Sequence, residues 1–364
     1  MRKVVYICDW LPPDFGAVGQ YSVFFSRQRA GGGQCVVLGG LSSTRGSVET
    51  EDFGRGSLCT IRLKVATYDR ARVFQRLIWT IATNLRLLWR LKWQIIRCDE
   101  IVFTGSPPFM LHFLVPLNFF LRKELTYRIT DFHPECLMAQ LGRTPWPLTV
   151  FYRLTITWRH KVHRFEALGE DQRRRLLDMG IPETRIIIKR DPSPVHIGPK
   201  TKPAALPSAL RGYKVLLYSG NFGVAHDHET FVEGYRLHHR EGSGTVRLWL
   251  NAIGAKADLV ENAIHLAGLP LVRSLPGSLE DLPGIMVSPA AHLITLRETF
   301  VGYVLPSKVY ACVESGRPVL FIGPAESDVH LLCERGLPQD AYWRVPVGHP
   351  MGVAEFLEAI GSRA

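Results

Sequence analysis

Short, β-branched apolar runs alternate with longer stretches of helical spacing along the whole chain. Val4–Cys8, Cys35–Leu38, Ile101–Phe103 and Leu125–Ile129 read as strands, the last ending at Thr130-Asp131. Gln20–Gln28, Phe151–His163 and Asp171–Met179 read as helices, and Arg185–Ile188 as a further strand. Unbroken apolar runs, rather than strict alternation, are what strands covered on both faces require, so the pattern predicts parallel sheets. Residues 190–210 are rich in proline and carry little apolar periodicity. Beyond them the pattern restarts: strand Val215–Tyr218, a glycine-containing turn at 219–224, helix His226–His239, then strands Val246–Leu250, Leu271–Val272, His292–Leu296 and Val319–Ile322. Two such series predict two doubly wound α/β domains, 1–190 and 213–364, joined by a proline-rich linker at 191–212 and facing across a cleft.

The tract 298–323, ETFVGYVLPSKVYACVESGRPVLFIG, concentrates the candidate chemistry. Ser307 and Lys308 open a short helix that leads into the strand Val319–Ile322. Free backbone N–H groups at a helix start, with a lysine beside them, favour a phosphate. Gly220, Asn221 and Gly223 form a turn that permits close backbone approach to such a group. Arg297, just after a strand, adds positive charge. Together these residues are expected to bind a phosphorylated, nucleotide-linked small molecule.

Composition narrows the class. The chain has 364 residues, 46% hydrophobic and 21% charged, which predicts packed domains rather than disorder. Seven cysteines without CxxC spacing argue for reduced thiols, no metal centre and a cytoplasmic location. The opening MRKVVYIC is too short and too β-branched for a signal peptide. A formal net charge of +11 calls for an anionic partner. No nucleic-acid-binding signature accompanies it. Residues 70–97 carry seven Arg or Lys and no acid. Arg72, Arg76, Arg86, Arg90 and Arg97 mark a basic face. Phe74, Leu77, Ile78, Ile81, Leu85, Leu88 and Ile95 lie toward the opposite side, with Trp79, Trp89 and Trp93 near the boundary. That is the pattern of a helix lying in the headgroup plane of an anionic membrane, and the arginines exclude a spanning segment. The alternative is a helix covering the sheet with its arginines in solvent. The apolar run 107–121 adds to the interfacial reading.

Three tracts together resemble the GT-B glycosyltransferases of family 4, nearest the bacterial amino-sugar transferases of O-antigen and exopolysaccharide assembly. They are PPDFGAVGQYS near the start, TGSPPF with YRITDFHPE in the middle, and YSGNFG with LRETFVGYVLPSKVYACVESGRPVLFIG in the second half. The resemblance implies a retaining transferase moving a hexose or N-acetylhexosamine from a UDP-linked donor, with no metal or other cofactor, since cations and aligned N–H groups serve the leaving diphosphate. It implies a lipid-linked polyprenyl-diphosphate or glycan acceptor, and a peripheral position on the inner face of the cytoplasmic membrane. Gly220, Asn221, Gly223, Arg297, Ser307 and Lys308 are the implied donor-binding residues. Gly16 and Gly19 belong to the implied acceptor-side loop. Asp131, His133 and Glu135 are the candidate catalytic groups, able to bond sugar hydroxyls or move protons. Asp131 as a helix cap, with Pro134 and Glu135 in the first turn, fits the same residues.

The chain departs from the family pattern in places. Ala311 stands where a ribose-binding glutamate is usual, and Glu298 and Glu314 are out of register with the usual pair. Thr130 stands near the usual place of a histidine, with His133 three residues on. The C-terminal helix that usually crosses back to the first domain is expected to be short or missing. These departures keep two alternatives in view: a catalytically degenerate protein that binds nucleotide sugar or membrane, and a GT-B sugar-nucleotide epimerase.

Overall fold

The computed structural model describes residues 1–14, 16–66 and 73–363, and their side chains except those of Val73, Phe74, Arg76 and Ala255. The chain divides into two compact units, Met1–Arg190 and Asp191–Ala364. The first contains strands β1 (Lys3–Trp10), β2 (Cys35–Ser42), β3 (Ser47–Asp52), β4 (Ser57–Lys64), β5 (Glu100–Thr104), β6 (Glu124–Ile129), β7 (Arg164–Ala167) and β8 (Ile186–Ile188). They form one sheet in the order β3-β4-β2-β1-β5-β6-β7-β8. Neighbours run parallel except β3, which pairs antiparallel with β4. Its helices are α1 (Ala17–Gly31), α2 (Val73–Arg97), α3 (Met110–Leu121), α4 (Glu135–Leu141), α5 (Trp146–Arg159) and α6 (Glu170–Asp178). β5, Glu-Ile-Val-Phe-Thr, is buried throughout, as a central parallel strand covered on both faces must be. Tyr21, Phe25 and Ala30 of α1 complete the core against Tyr6, Leu38 and Val102.

The second unit holds β9 (Lys214–Asn221), β10 (Val246–Ile253), β11 (Leu271–Ser274), β12 (Ala291–Thr295), β13 (Val319–Ile322) and β14 (Tyr342–Val345), in the order β11-β10-β9-β12-β13-β14. Every neighbouring pair is parallel. The helices are α7 (Glu229–Arg240), α8 (Ala255–Leu266), α9 (Leu282–Val287), α10 (Lys308–Glu314), α11 (Asp328–Gly336) and α12 (Pro350–Gly361). In each sheet the strand order reverses once, between β1 and β5 and between β9 and β12. Ligands of open α/β sheets bind beyond the carboxyl ends of the strands at such a reversal. The positions that matter are therefore Asp9 and Ser106 in one unit, and the Gly220 turn and Arg297 in the other.

Several expectations are corrected. The proline-rich segment at 191–212 is held to the second unit. The Ala204 N–H donates to the Gly284 carbonyl at 2.9 Å, and the Ile197 N–H donates to Glu314 Oε1 at 3.0 Å. Leu206 and Leu210 pack with Leu217, Trp249 and Ile285. Its apolar residues, spaced by prolines, join the second unit's core. Gly19 lies inside α1, not in the loop before it, and a Cβ there would meet the Trp10 carbonyl oxygen at 1.8 Å. Close helix–strand packing accounts for that glycine. The helix expected from His226 begins at Glu229, because Asp227 accepts a hydrogen bond from the Thr230 N–H at 3.2 Å and holds the preceding residues in a loop. At the C-terminal end α12 packs on α7 within the same unit, with Val353 seated against Gly234.

Candidate donor-binding site and basic helix surface

The reversal in the second sheet gathers an aromatic nest under one lysine. Tyr218 and Phe222 stack with centroids 4.1 Å apart, and His226 meets both rings edge-on. The Tyr218 hydroxyl donates to the Asn221 carbonyl at 3.0 Å, which pins the turn. Gly220 sits at φ +110°, a backbone region that penalises any side chain, so the turn needs glycine there. Lys308 reaches across from α10: its Nζ lies 3.1 Å from the Tyr218 ring centroid, and its Cε is 4.0 Å from where a Gly220 Cβ would stand. The ammonium is enclosed and has no hydrogen-bond acceptor among the described residues. Burial holds its pKa well below the ordinary lysine value. A cation–π contact offsets only part of that desolvation. His226 donates from Nδ1 to the Thr295 carbonyl at 2.6 Å. Burial and the Lys308 charge push its pKa down to about 3, so the imidazole is neutral at physiological pH.

The other sequence-picked residues of this unit fall around the nest. Ser307 precedes α10 without capping it through its side chain, and Arg297 is exposed just after β12 with its N–H bonded to the Ala225 carbonyl at 2.9 Å. Asn221 is exposed at the end of β9, and Gly223 lies two residues on, beside it. Ala311 is buried within α10. Glu314 is engaged with the 191–212 segment through Ile197 and His196. Tyr218, Phe222 and His226 were not singled out from sequence. An aromatic spacing of four residues, 218, 222 and 226, following a strand was the available signal.

In the first unit the candidate catalytic residues separate. Asp131 lies just past β6, half-buried, and burial pushes its carboxyl up to about 6. It caps no helix, because α4 starts at Glu135 behind Pro134. His133 has its ring 6.0 Å from Phe109, and its carbonyl accepts from Arg159 Nη2 at 3.1 Å. Glu135 is 1% exposed and forms a two-point ion pair with the fully buried Arg159, including Nη2 to Oε2 at 3.0 Å. A carboxylate locked in an internal pair that ties α4 to α5 cannot meet a substrate, so Glu135 is removed from the catalytic candidates. Gly16 caps α1 in an extended conformation that any residue adopts.

The basic helix packs on its own unit through a face that the sequence reading did not pick out. α2 buries Thr80, Thr83, Asn84, Leu87, Leu91 and Ile95, and Asn84 Nδ2 donates to the Pro108 carbonyl at 3.0 Å. Leu77, Ile78, Ile81, Leu85, Trp89, Trp93 and Ile96 are exposed, Trp89 by 72%. Of the stripe expected to be its apolar side, Leu77, Ile78, Ile81 and Leu85 face outward, Leu88 is half-buried and Ile95 is buried, and the Phe74 side chain lies outside the described ones. Arg86, Arg90 and Arg97 are exposed beside that stripe. Arg72 lies outside the described residues, as does the Arg76 side chain. Helix α3 packs against α2 and α5, and Phe120 on it is 87% exposed. Among the described residues no helix is long and apolar enough to cross a membrane.

Both units have the Rossmann-like architecture of GT-B glycosyltransferases, and comparison with solved structures places the fold in that class. The chain is similar over its full length to an α,α-trehalose-phosphate synthase (UDP-forming) from Burkholderia vietnamiensis, with TM-score 0.63, 12% identity and 92% of that chain covered. It is similar to WaaG, a glycosyltransferase involved in lipopolysaccharide biosynthesis, with TM-score 0.61 and 13% identity over 99% of this chain and 90% of that one. It is also similar to Anabaena HepE in complex with UDP and glucose, with TM-score 0.64 and 10% identity over 99% and 89%. No protein-family model matches the sequence, and no curated protein does.

Proposed function

We propose that this protein is a retaining glycosyltransferase that moves a hexose or N-acetylhexosamine from a UDP-linked donor to a lipid-linked acceptor in cell-surface glycan assembly. The observation that carries the reading is Lys308: an enclosed, unpaired amine beside a glycine turn at the sheet's reversal point. A buried ammonium without an anion is costly, and a donor diphosphate supplies the missing partner. Lys308 then neutralises the charge that grows on the departing diphosphate, and the Gly220–Gly223 backbone admits it closely. Arg297 and Ser307 lie near enough in sequence to the same strand ends to add to the pocket. The GT-B neighbours that carry UDP support this class of donor.

The acceptor half of the proposal rests on α2. Exposed Leu, Ile and Trp side chains each forgo about 1.5–3 kcal/mol of burial, which an acyl-chain boundary restores. The adjacent arginines match anionic headgroups, so the protein is peripheral on the cytoplasmic face of the inner membrane, where a polyprenyl-diphosphate sugar or glycan is presented. Ala311, in the place of the usual ribose partner, favours the second reading, a GT-B protein that binds nucleotide sugar without turnover. A panel of UDP- and other nucleotide-linked sugars, with and without a bacterial lipid extract, separates the two. Labelling of lipid, with nucleotide released in step, establishes the transferase. Donor binding without either, across the panel, rejects it.

A further inference from the structure

The reversal point of the first sheet holds polar groups that the donor site does not use. Asp9 ends the buried run of β1, Ser106 follows β5, and Thr130 and Asp131 follow β6. Since β5 lies between β1 and β6, these residues meet at one sheet edge. Ser106 hydrogen-bonds the Asp9 carboxyl, which also lies in the field of Asp131. Asp9 Oδ1 is buried with no hydrogen-bond partner among the described residues. The same is true of Thr130 Oγ1, on a residue only 9% exposed. That hydroxyl stands against Gly105, where a Cβ would meet it at 3.0 Å and the Asp131 carbonyl oxygen at 2.8 Å. Unmade hydrogen bonds at buried polar atoms are expensive, so a cluster of them at a ligand-binding edge points to a polar occupant.

We infer that Asp9, Asp131 and Thr130 form a hydroxyl-binding station for a pyranose, with Asp9 as the protonated donor and Asp131 as the carboxylate acceptor. This deepens the transferase reading, on which it rests for the identity of that pyranose as the acceptor sugar. Two hydroxyls of one ring suit the set: one donates to Asp131, the other accepts from the Asp9 acid, and Thr130 completes the contacts. The division of roles follows from the surroundings. Burial raises both carboxyls, and the Asp131 charge raises Asp9 further, to about 7 against about 6. The other titratable groups facing the couple are Cys8 on β1, Tyr127 on β6, and Cys136 and Glu135 on α4, the last neutralised by Arg159. Burial keeps Cys8, Tyr127 and Cys136 in their neutral forms.

The test uses the whole protein and methyl glycosides of glucose, galactose, mannose and N-acetylglucosamine as probes, read by saturation-transfer NMR at pH 6 and pH 8 with UDP in excess. At least one glycoside is expected to bind at pH 6 and to weaken about fivefold at pH 8, as Asp9 ionises while Asp131 completes its own ionisation. Asp9→Asn, which keeps a donor, is expected to lose no affinity between pH 6 and pH 8, and Asp9→Ala to bind at neither. Carboxyl-labelled protein supplies the second reading: the Asp9 carbon titrates near neutrality and moves to lower pH in Asp131→Asn. Binding indifferent to Asp9→Ala, no binding of any glycoside, or an Asp9 midpoint unmoved by Asp131→Asn overturns the inference. None of these readouts needs sugar transfer, so a failed donor panel rejects the transferase reading without deciding this one.

Discussion

Replacing Lys308 by methionine should make the free protein more stable and weaken its binding of the donor nucleotide. Methionine keeps the aliphatic contact with Tyr218 and deletes the enclosed ammonium. An unsatisfied buried polar group costs about 1–3 kcal/mol, and more when charged. The depressed pKa of Lys308 shows that desolvation outweighs its cation–π contact. A gain of roughly 1–3 kcal/mol in the free state follows, or roughly 2–10 °C in Tm for a unit of this size. The gain should shrink as pH approaches the ordinary lysine range: the unfolded chain binds the proton there while the folded one does not, so wild-type stability rises with pH. With UDP the variant's advantage shrinks by about 1.3–2.4 kcal/mol. Losing a charge-assisted contact costs about 1.5–3 kcal/mol, or roughly 10- to 150-fold in Kd. At UDP set to 100 times the wild-type Kd, the nucleotide adds about 2.7 kcal/mol to the wild type and only about 0.3–1.4 to the variant. Calorimetric titration and thermal melts with and without UDP measure both halves. A variant no more stable than wild type, binding UDP as tightly, refutes the argument from an unpaired amine.

Three further outcomes follow from the same geometry. Arg86→Glu with Arg90→Glu should cut binding to anionic vesicles by at least about 30-fold, taking about 1 kcal/mol per arginine; flotation that matches wild type removes the interfacial role of α2. Glu135→Gln should destabilise the protein by about 3–5 kcal/mol by stranding Arg159, measured by urea unfolding, while the activity of the molecules still folded is retained. Asp9→Asn should stabilise the protein at pH 8 by up to about 4 kcal/mol and leave it unchanged at pH 4. The sign follows from the raised carboxyl: the unfolded Asp ionises near its usual value, the folded one near 7, so wild-type stability falls as pH rises between them. Equal urea midpoints for variant and wild type at pH 8 would contradict it.

Local order was written plainly in the chain. Runs such as Val319–Ile322 and Leu125–Ile129 specify buried parallel strands by themselves, because only strands covered on both faces tolerate unbroken apolar residues. Alternation of those runs with helical spacing then leads to doubly wound units, and the GNFG and PSK tracts fall at strand ends where the fold uses them. The short antiparallel β3 escaped notice: Ser-Val-Glu-Thr-Glu-Asp is a polar edge strand, visible only once β4 is there to pair with it.

What the sequence could not contain was which partner each side chain would meet. The α2 pattern announced two faces, yet burial went to Thr80, Thr83 and Asn84 with Leu87 and Leu91, because Asn84 finds the Pro108 carbonyl and the apolar stripe is left outside. Glu135 and Asp131 look alike in DFHPE; tertiary packing gives one an arginine from α5 and leaves the other beside Asp9, a residue more than a hundred positions away. Lys308 was legible as a cation near a helix start, but its isolation over Tyr218 depends on β9 and α10 coming together. Charge, apolar spacing and glycine placement act through neighbours in sequence and can be read there. Desolvation and pairing depend on neighbours in space, and those only the folded sheets decide.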